Sequence, residues 1–235
     1  MVRPNIKPGA KPLCMDIQKQ KKQMLLRKIY KRAFTVLKRD KMGLFIDSLT
    51  VMLFSLGISA LMLAIYVYRI ALLKKNASAL ALPIIGFGVF NVASGFMMSF
   101  TWPLPGSYNM LFGDPLLMLG ILMTIGGYML LKGMDIKILS VIGFFLGIYV
   151  LVGSIGMVSY GLETGLDMLL AMGLYIFAGL AGVFSPIICM NSKGSGRYAF
   201  YFLVFLLVMT ALIALFIGYN GFYEHLHAFG KYFPA

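Results

Sequence analysis

Six long apolar stretches dominate the hydrophobic pattern of this 235-residue chain. Each is near or above the roughly 20 residues that an α-helix needs to cross the hydrocarbon core of a bilayer. Shorter polar segments separate them, so the pattern predicts six transmembrane helices joined by loops. The stretches cover residues 44–73, 79–100, 115–131, 138–160, 168–190 and 198–222.

Composition excludes an ordinary soluble domain. Hydrophobic residues make up 60% of the chain and charged residues 12%, whereas soluble domains have about a quarter of their residues charged. The predicted fold class is therefore all-α: a polytopic membrane protein with six transmembrane helices and a basic N-terminal helical tail. We assign residues 1–42 to the tail and residues 43–235 to the transmembrane domain.

The tail carries thirteen lysines and arginines. Leu26, Tyr30 and Phe34 recur at helical spacing, so we expect an amphipathic helix that binds anionic lipid headgroups. A nucleic-acid-binding arm is not expected, because no recognition motif accompanies the basic residues. A third interpretation is that translation starts at Met42.

Basic residues in the other loops are distributed unevenly. The loops after the first, third and fifth stretches hold seven lysines and arginines, and the loops after the second and fourth hold none. The positive-inside rule then places the odd-numbered loops in the cytoplasm and the segment 102–114 outside the cell membrane. The basic tail conflicts with this orientation, because such a segment resists export, so the side on which it lies stays open. The seven basic residues are Arg69, Lys74, Lys75, Lys132, Lys137, Lys193 and Arg197.

Two sequence segments carry a family resemblance. The run WPLPGSYN followed by FGDP, together with FIDSLTVML at the head of the first helix, resembles an uncharacterised prokaryotic family of multi-pass membrane proteins, domain of unknown function 981. The resemblance extends from about Phe45 to near the C-terminus. It implies a fold and a membrane location, and it brings no established activity. Members of the family begin near the position of Phe45, so the basic tail departs from the family pattern.

A local repeat predicts a hairpin unit. The segments DPLLMLGILM at Asp114 and DMLLAMGLYI at Asp167 both open a helix that runs inward, and Asp47 opens a weaker echo of them. The repeat predicts related hairpins, each with an outgoing helix, an outer loop and an ingoing helix. Capping of the helix start is the alternative explanation for each Asp.

Polar residues gather at the predicted outer ends of the helices. If these ends converge, the residues form a shallow polar mouth, and a solvated outer face is the alternative. The segment 101–115 is also interrupted by prolines and Gly106, which predicts a folded plug or docking surface rather than a plain turn. The candidate cluster comprises Asp47, Trp102, Tyr108, Asn109, Asp114, Tyr160, Glu163 and Asp167.

Metal binding and catalysis find little support in the sequence. Glu224, His225 and His227 are residue types that bind metals, but histidines two residues apart project to different faces of a helix. We therefore expect no metal site. The sequence contains no nucleophile motif, so it assigns no catalytic residue. Any cofactor is unknown.

The absence of charge at the helix midpoints and the many small residues favour a non-catalytic protein. We expect an accessory or assembly subunit of a larger membrane complex, with the lipid bilayer and either membrane-protein partners or further copies of the chain as its contacts. The alternative is a small transporter, channel or membrane enzyme with an outward-facing acidic mouth.

Overall fold

The computed structural model describes the backbone of residues 48–104, 106–189 and 196–232, and the side chains of residues 49–104, 106–189 and 196–227. The basic tail and Asp47 lie outside the described residues, so the expectations about them stay predictions. The described helices all belong to one unit, Ile46–Ala235.

Six α-helices make up most of the described chain, and each is long and apolar enough to cross a membrane. This confirms the predicted all-α fold with six membrane-spanning helices. Only helices satisfy every backbone group within one segment, which hydrocarbon requires. The helices are α1 (Ser48–Val67), α2 (Ala81–Thr101), α3 (Asp114–Leu131), α4 (Lys137–Ser159), α5 (Gly165–Val183) and α6 (Gly196–Tyr232).

The third span is longer than its apolar stretch indicates. A π-helical turn, Asn109–Gly113, runs directly into α3 and extends the span to Asn109–Leu131. The polar residues Asn109 and Asp114 shorten the apolar stretch, but both have hydrogen-bond partners inside the protein. The connecting loop is therefore confined to residues 102–108, and the rest of the segment 101–115 is helical.

The helices pack most closely as three antiparallel pairs: α2 with α3, α4 with α5, and α1 with α6. Small residues permit this approach. A Cβ at Gly120 would lie 2.5 Å from the backbone nitrogen of Val92, and a Cβ at Gly147 would lie even closer to the backbone nitrogen of Val183. Lipid supplies no hydrophobic force between helices, so such close packing provides much of their attraction. Two of the pairs, α2 with α3 and α4 with α5, match the hairpin units of the predicted repeat, whose common origin stays a prediction.

The two ends of the bundle differ in chemistry. Residues 73–77 and 132–136 lie at one end, where Ala77 and Ile136 belong to the same hydrophobic cluster, and we call it the basic end. Residues 102–108 and 160–164 form the other, which we call the tyrosine end. Described basic residues in or beside the loops of the basic end are Arg69, Lys74, Lys75, Lys132, Lys137 and Arg197.

Candidate functional site

Asn109 organises the loop at the tyrosine end. Its side chain is fully buried, its Oδ1 accepts a hydrogen bond from the backbone N–H of Leu104 at 2.9 Å, and its Nδ2 donates to the carbonyls of Leu104 and Gly106. An amide offers both donors and an acceptor, so a single side chain can replace the backbone pairing of a turn. The loop therefore has an internal scaffold and is not held by α2 and α3 alone.

Trp102 ends α2 in an unusual backbone conformation. Its φ and ψ are 53° and 54°, the left-handed region, and its side chain is 48% exposed. A bulky residue adopts this conformation at a cost of about 1–2 kcal/mol. Glycine is the usual residue at such a helix end. The backbone at Trp102 is therefore strained, and the indole ring of Trp102 lies on the surface of the loop.

Tyr108 joins the two loops of the tyrosine end. Its hydroxyl donates to the carbonyl of Leu162 at 2.6 Å, and its ring stacks on Phe112 with 6.4 Å between centroids. Desolvation by burial raises the pKa of Tyr108 above 10.0, and the nearby carboxylate of Glu163 raises it further. The neutral hydroxyl is therefore the stable form, as its role as a donor requires.

Asp114 lies within the third span and accepts a hydrogen bond from a tyrosine. The N-cap position of α3 is Gly113, which has no side chain, and Asp114 Oδ2 accepts a hydrogen bond from the hydroxyl of Tyr149 at 3.0 Å. Asp114 also lies in the first turn of α3, so the alternative explanation by the helix dipole stays open. A carboxylate at this depth needs a polar partner, and α4 supplies it.

Tyr175 satisfies a backbone carbonyl of the same region. Its hydroxyl donates to the carbonyl of Leu111, four residues before Pro115. Proline has no N–H, so it cannot make the usual α-helical hydrogen bond to that carbonyl. Tyr175 is 5% exposed, and its hydroxyl replaces the missing donor. The start of α3 is thus bound to α4 through Asp114 and to α5 through Leu111.

The remaining candidate residues that the structure describes do not join one cluster. Glu163 lies beside Tyr108. Tyr160 ends α4 and is 81% exposed, and Asp167 lies exposed in the first turn of α5 with no side-chain cap recorded there. The structure thus brings Tyr108 together with Glu163 and pairs Asp114 with Tyr149, a residue that the sequence did not single out.

The EHLH segment lies in α6, so His225 and His227 project to different faces, as their spacing predicts. Within the part of the chain that the structure describes, no three His, Cys, Asp or Glu side chains form a group that could hold a metal ion.

A buried polar network lies near the middle of the second span, Ser78–Thr101. Asn91 in α2 is fully buried, accepts a hydrogen bond from Ser55 Oγ at 2.5 Å and donates to Ser59 Oγ at 2.9 Å. These bonds join α2 to α1. These residues are not among the candidates from the sequence, although an Asn at the centre of an apolar helix is a usable signal because it needs a partner there.

An apolar cavity of about 230 Å³ lies between the helix pairs, and all six helices contribute side chains to it. It extends from Pro115 towards Tyr66 and Ser185, that is, from the tyrosine half of the bundle to the basic end. A second cavity of about 60 Å³ adjoins the first, and the two share Pro115, Val150 and Ala178 as lining residues.

The comparisons give one family and no further relative. A family model described as "Protein of unknown function (DUF981)" matches residues 42–228, and this confirms the family that the sequence resembles. No curated protein and no solved structure matches the chain.

Proposed function

The chain belongs to the DUF981 family of proteins of unknown function, and from this premise we propose that it is a non-catalytic accessory or assembly subunit of a larger membrane complex. Its six membrane-competent helices make it a multi-pass membrane protein. The proposed contact surface is the loop 102–108 with the exposed ring of Trp102.

The proposal depends on the rigidity of this loop. Asn109 holds the loop from within, and Tyr108 fixes it to the carbonyl of Leu162. A preorganised surface loses little conformational entropy when a partner binds, and exposed aromatic residues are frequent anchors of such interfaces. Trp102 meets both conditions. A partner at the same membrane surface is the occupant that we propose.

The internal use of polar groups supports a non-catalytic role. Asp114 is bound by Tyr149, and Tyr175 is bound to a backbone carbonyl. Asn91 is held between two serines. A catalytic acid, base or nucleophile needs access to a substrate, and these groups are committed to holding helices together.

A transporter, channel or membrane enzyme with an acidic mouth is the alternative. Asp47, Asp114, Glu163 and Asp167 would line that mouth, and ion passage would need polar groups from it to the membrane centre. The lining of the central cavity is predominantly apolar, which favours the subunit over the ion pathway. For either function we propose a location in the cell membrane with the basic end in the cytoplasm, on the positive-inside rule.

The proposal is tested by isolating the tagged full chain from its native membrane in a mild detergent and measuring the intact mass of the particle. We expect other polypeptides in a fixed ratio to the chain. A monomer, or copies of this chain alone, would contradict a subunit role.

Two variants then test the contact surface. Trp102→Gly removes the ring and relieves the left-handed backbone, so a loss of the assembly cannot be attributed to a weakened fold. Tyr160→Ala removes another exposed aromatic ring at the same end and is the matched control. We expect the first variant to lose the partner polypeptides and the second to keep them.

A further inference from the structure

We propose that the central apolar cavity holds a hydrocarbon chain of an anionic membrane lipid, whose headgroup lies at the basic end beside Arg69. The subunit role does not require such a site, and the two proposals can fail independently. The inference depends on the cavity's lining, its volume and the charge of the end towards which it extends.

The lining favours hydrocarbon over water. Three of its hydroxyl groups already donate to backbone carbonyls: Ser140 to Lys137 at 2.6 Å, Ser185 to Ser140 at 2.8 Å, and Thr210 to Leu206 at 2.9 Å. A buried water needs two to four polar partners. Aliphatic side chains and glycines make up most of the remaining wall, so water and ions find little to bind.

The volume suits more than a small apolar molecule. An apolar cavity of about 150 Å³ stays dry and accepts benzene, and the main cavity measures about 230 Å³. Lipid tails are as apolar as the lining, so transfer from the bilayer brings no hydrophobic gain. The gain is dispersion, because atoms that line a void lose contacts which a hydrocarbon chain restores.

The arrangement of the two cavities suits a chain. Pro115, Val150 and Ala178 line both cavities, so the two adjoin, and the second also includes Leu49 and Phe112 from the tyrosine half of the bundle. A chain that enters from the basic end can therefore continue past Ala178 into the second cavity. Ala178 is half-buried at this junction, and a larger side chain there would obstruct this passage.

The positive charge at the basic end favours an anionic headgroup. Tyr66 and Val67 line the cavity, and Arg69 follows them inside the same span. Its Nε is buried and has no hydrogen-bond partner among the described residues. A guanidinium in this position is suited to a phosphate, which it binds through two parallel hydrogen bonds. The surrounding loops are basic, and the carboxylate of Asp135 already pairs with Lys137 at 3.3 Å.

The experiment reconstitutes the full chain in nanodiscs of phosphatidylcholine with phosphatidylglycerol as a minor component, and measures retained lipid by native mass spectrometry. We expect phosphatidylglycerol to stay bound and to be enriched over its share in the disc. Parallel discs contain phosphatidylglycerol with fatty-acyl chains or with isoprenoid chains. Retention of either supports the site and identifies the chain, whereas retention of neither overturns the proposal.

Three variants locate the lipid. Ala178→Phe fills the junction and is expected to lower retention about tenfold, whereas Ala93→Phe makes the same change at an exposed position of α2 and should retain lipid. Arg69→Gln leaves the lining unchanged and should abolish the enrichment of phosphatidylglycerol over phosphatidylcholine, which keeps the test valid if Ala178→Phe does not fold. If Ala178→Phe raises thermal stability without changing the retained lipid, the cavity is empty and the proposal is wrong.

Discussion

The hydroxyl of Tyr175 donates to the carbonyl of Leu111, the group that Pro115 leaves without its usual α-helical donor. Tyr175 and Leu111 are 64 positions apart in the sequence, so their hydrogen bond joins α5 to the start of the third span. It also explains how a proline near the start of α3 is accommodated within the span.

Tyr175→Phe should lower the free energy of unfolding by about 1 kcal/mol, because it leaves the Leu111 carbonyl unsatisfied in an apolar setting. Unfolding in detergent mixtures of increasing denaturing strength measures the change. In a Pro115→Ala background the new N–H can satisfy the same carbonyl, so the loss should be smaller. Equal losses in both backgrounds would contradict the proposed relation, and Tyr160→Phe, at an exposed ring, is the control.

Asn91→Ala should lower the free energy of unfolding by about 1 kcal/mol, since buried hydrogen bonds between membrane helices have this magnitude. The loss should couple to Ser59→Ala, because the two side chains bond directly. Ser94→Ala, in the same helix, is the control. Its hydroxyl bonds to the Phe90 carbonyl of its own helix, so we expect a change within about 0.5 kcal/mol. Additive effects of Asn91→Ala and Ser59→Ala would disprove the coupling.

The pKa of Tyr108 should lie above the ordinary value of 10.0, because burial and the Glu163 carboxylate raise it. A raised pKa in the folded state means that the contribution to stability is complete below the unfolded value and is lost as the pH rises through the folded one. The difference in tyrosinate absorbance between the wild type and Tyr108→Phe isolates this group. Glu163→Gln should remove only part of the increase in the pKa of Tyr108, since burial is the larger cause of that increase. A pKa at or below 10.0 would refute the assignment.

Trp102→Gly should raise the free energy of unfolding by about 1 kcal/mol, because it removes the left-handed strain of a bulky residue. Trp102→Ala removes the ring but keeps the strain, so it should not stabilise the protein. Comparison of the two variants separates the effect of backbone strain on stability from the effect of losing the side chain. Equal stability of both would mean that the backbone at this position is not strained.

Gly147→Ala should prevent close packing of α4 on α5, because the added methyl would overlap the backbone at Val183 and must force the helices apart. We expect the free energy of unfolding to fall by about 1–3 kcal/mol. Gly156→Ala is the matched control in the same helix, since its Cβ would meet nothing within 4 Å, and it should be neutral or slightly stabilising. Similar effects at both positions would contradict the packing described.

Much of the fold follows from the sequence, because the requirement for apolar helices in a bilayer is local. Six stretches of sufficient length predict six spans, and the structure has them. The sequence was less reliable where a polar residue has a distant partner. The sequence predicts that Asn109 and Asp114 lie in a loop, but both belong to the third span. Asn109 bonds to the 102–108 loop and Asp114 to α4, and these hydrogen bonds offset the cost of burying the two polar side chains.

The sequence by itself determined the helices, the family and the charge difference between the two ends. Only the tertiary structure decided which polar groups meet. Asn91 with Ser59, Asp114 with Tyr149 and Tyr175 with Leu111 lie 32, 35 and 64 positions apart. Their meeting depends on how each helix is rotated about its axis, which packing of small residues sets. The central cavity has the same origin, because it is the space that three closely packed pairs leave between them.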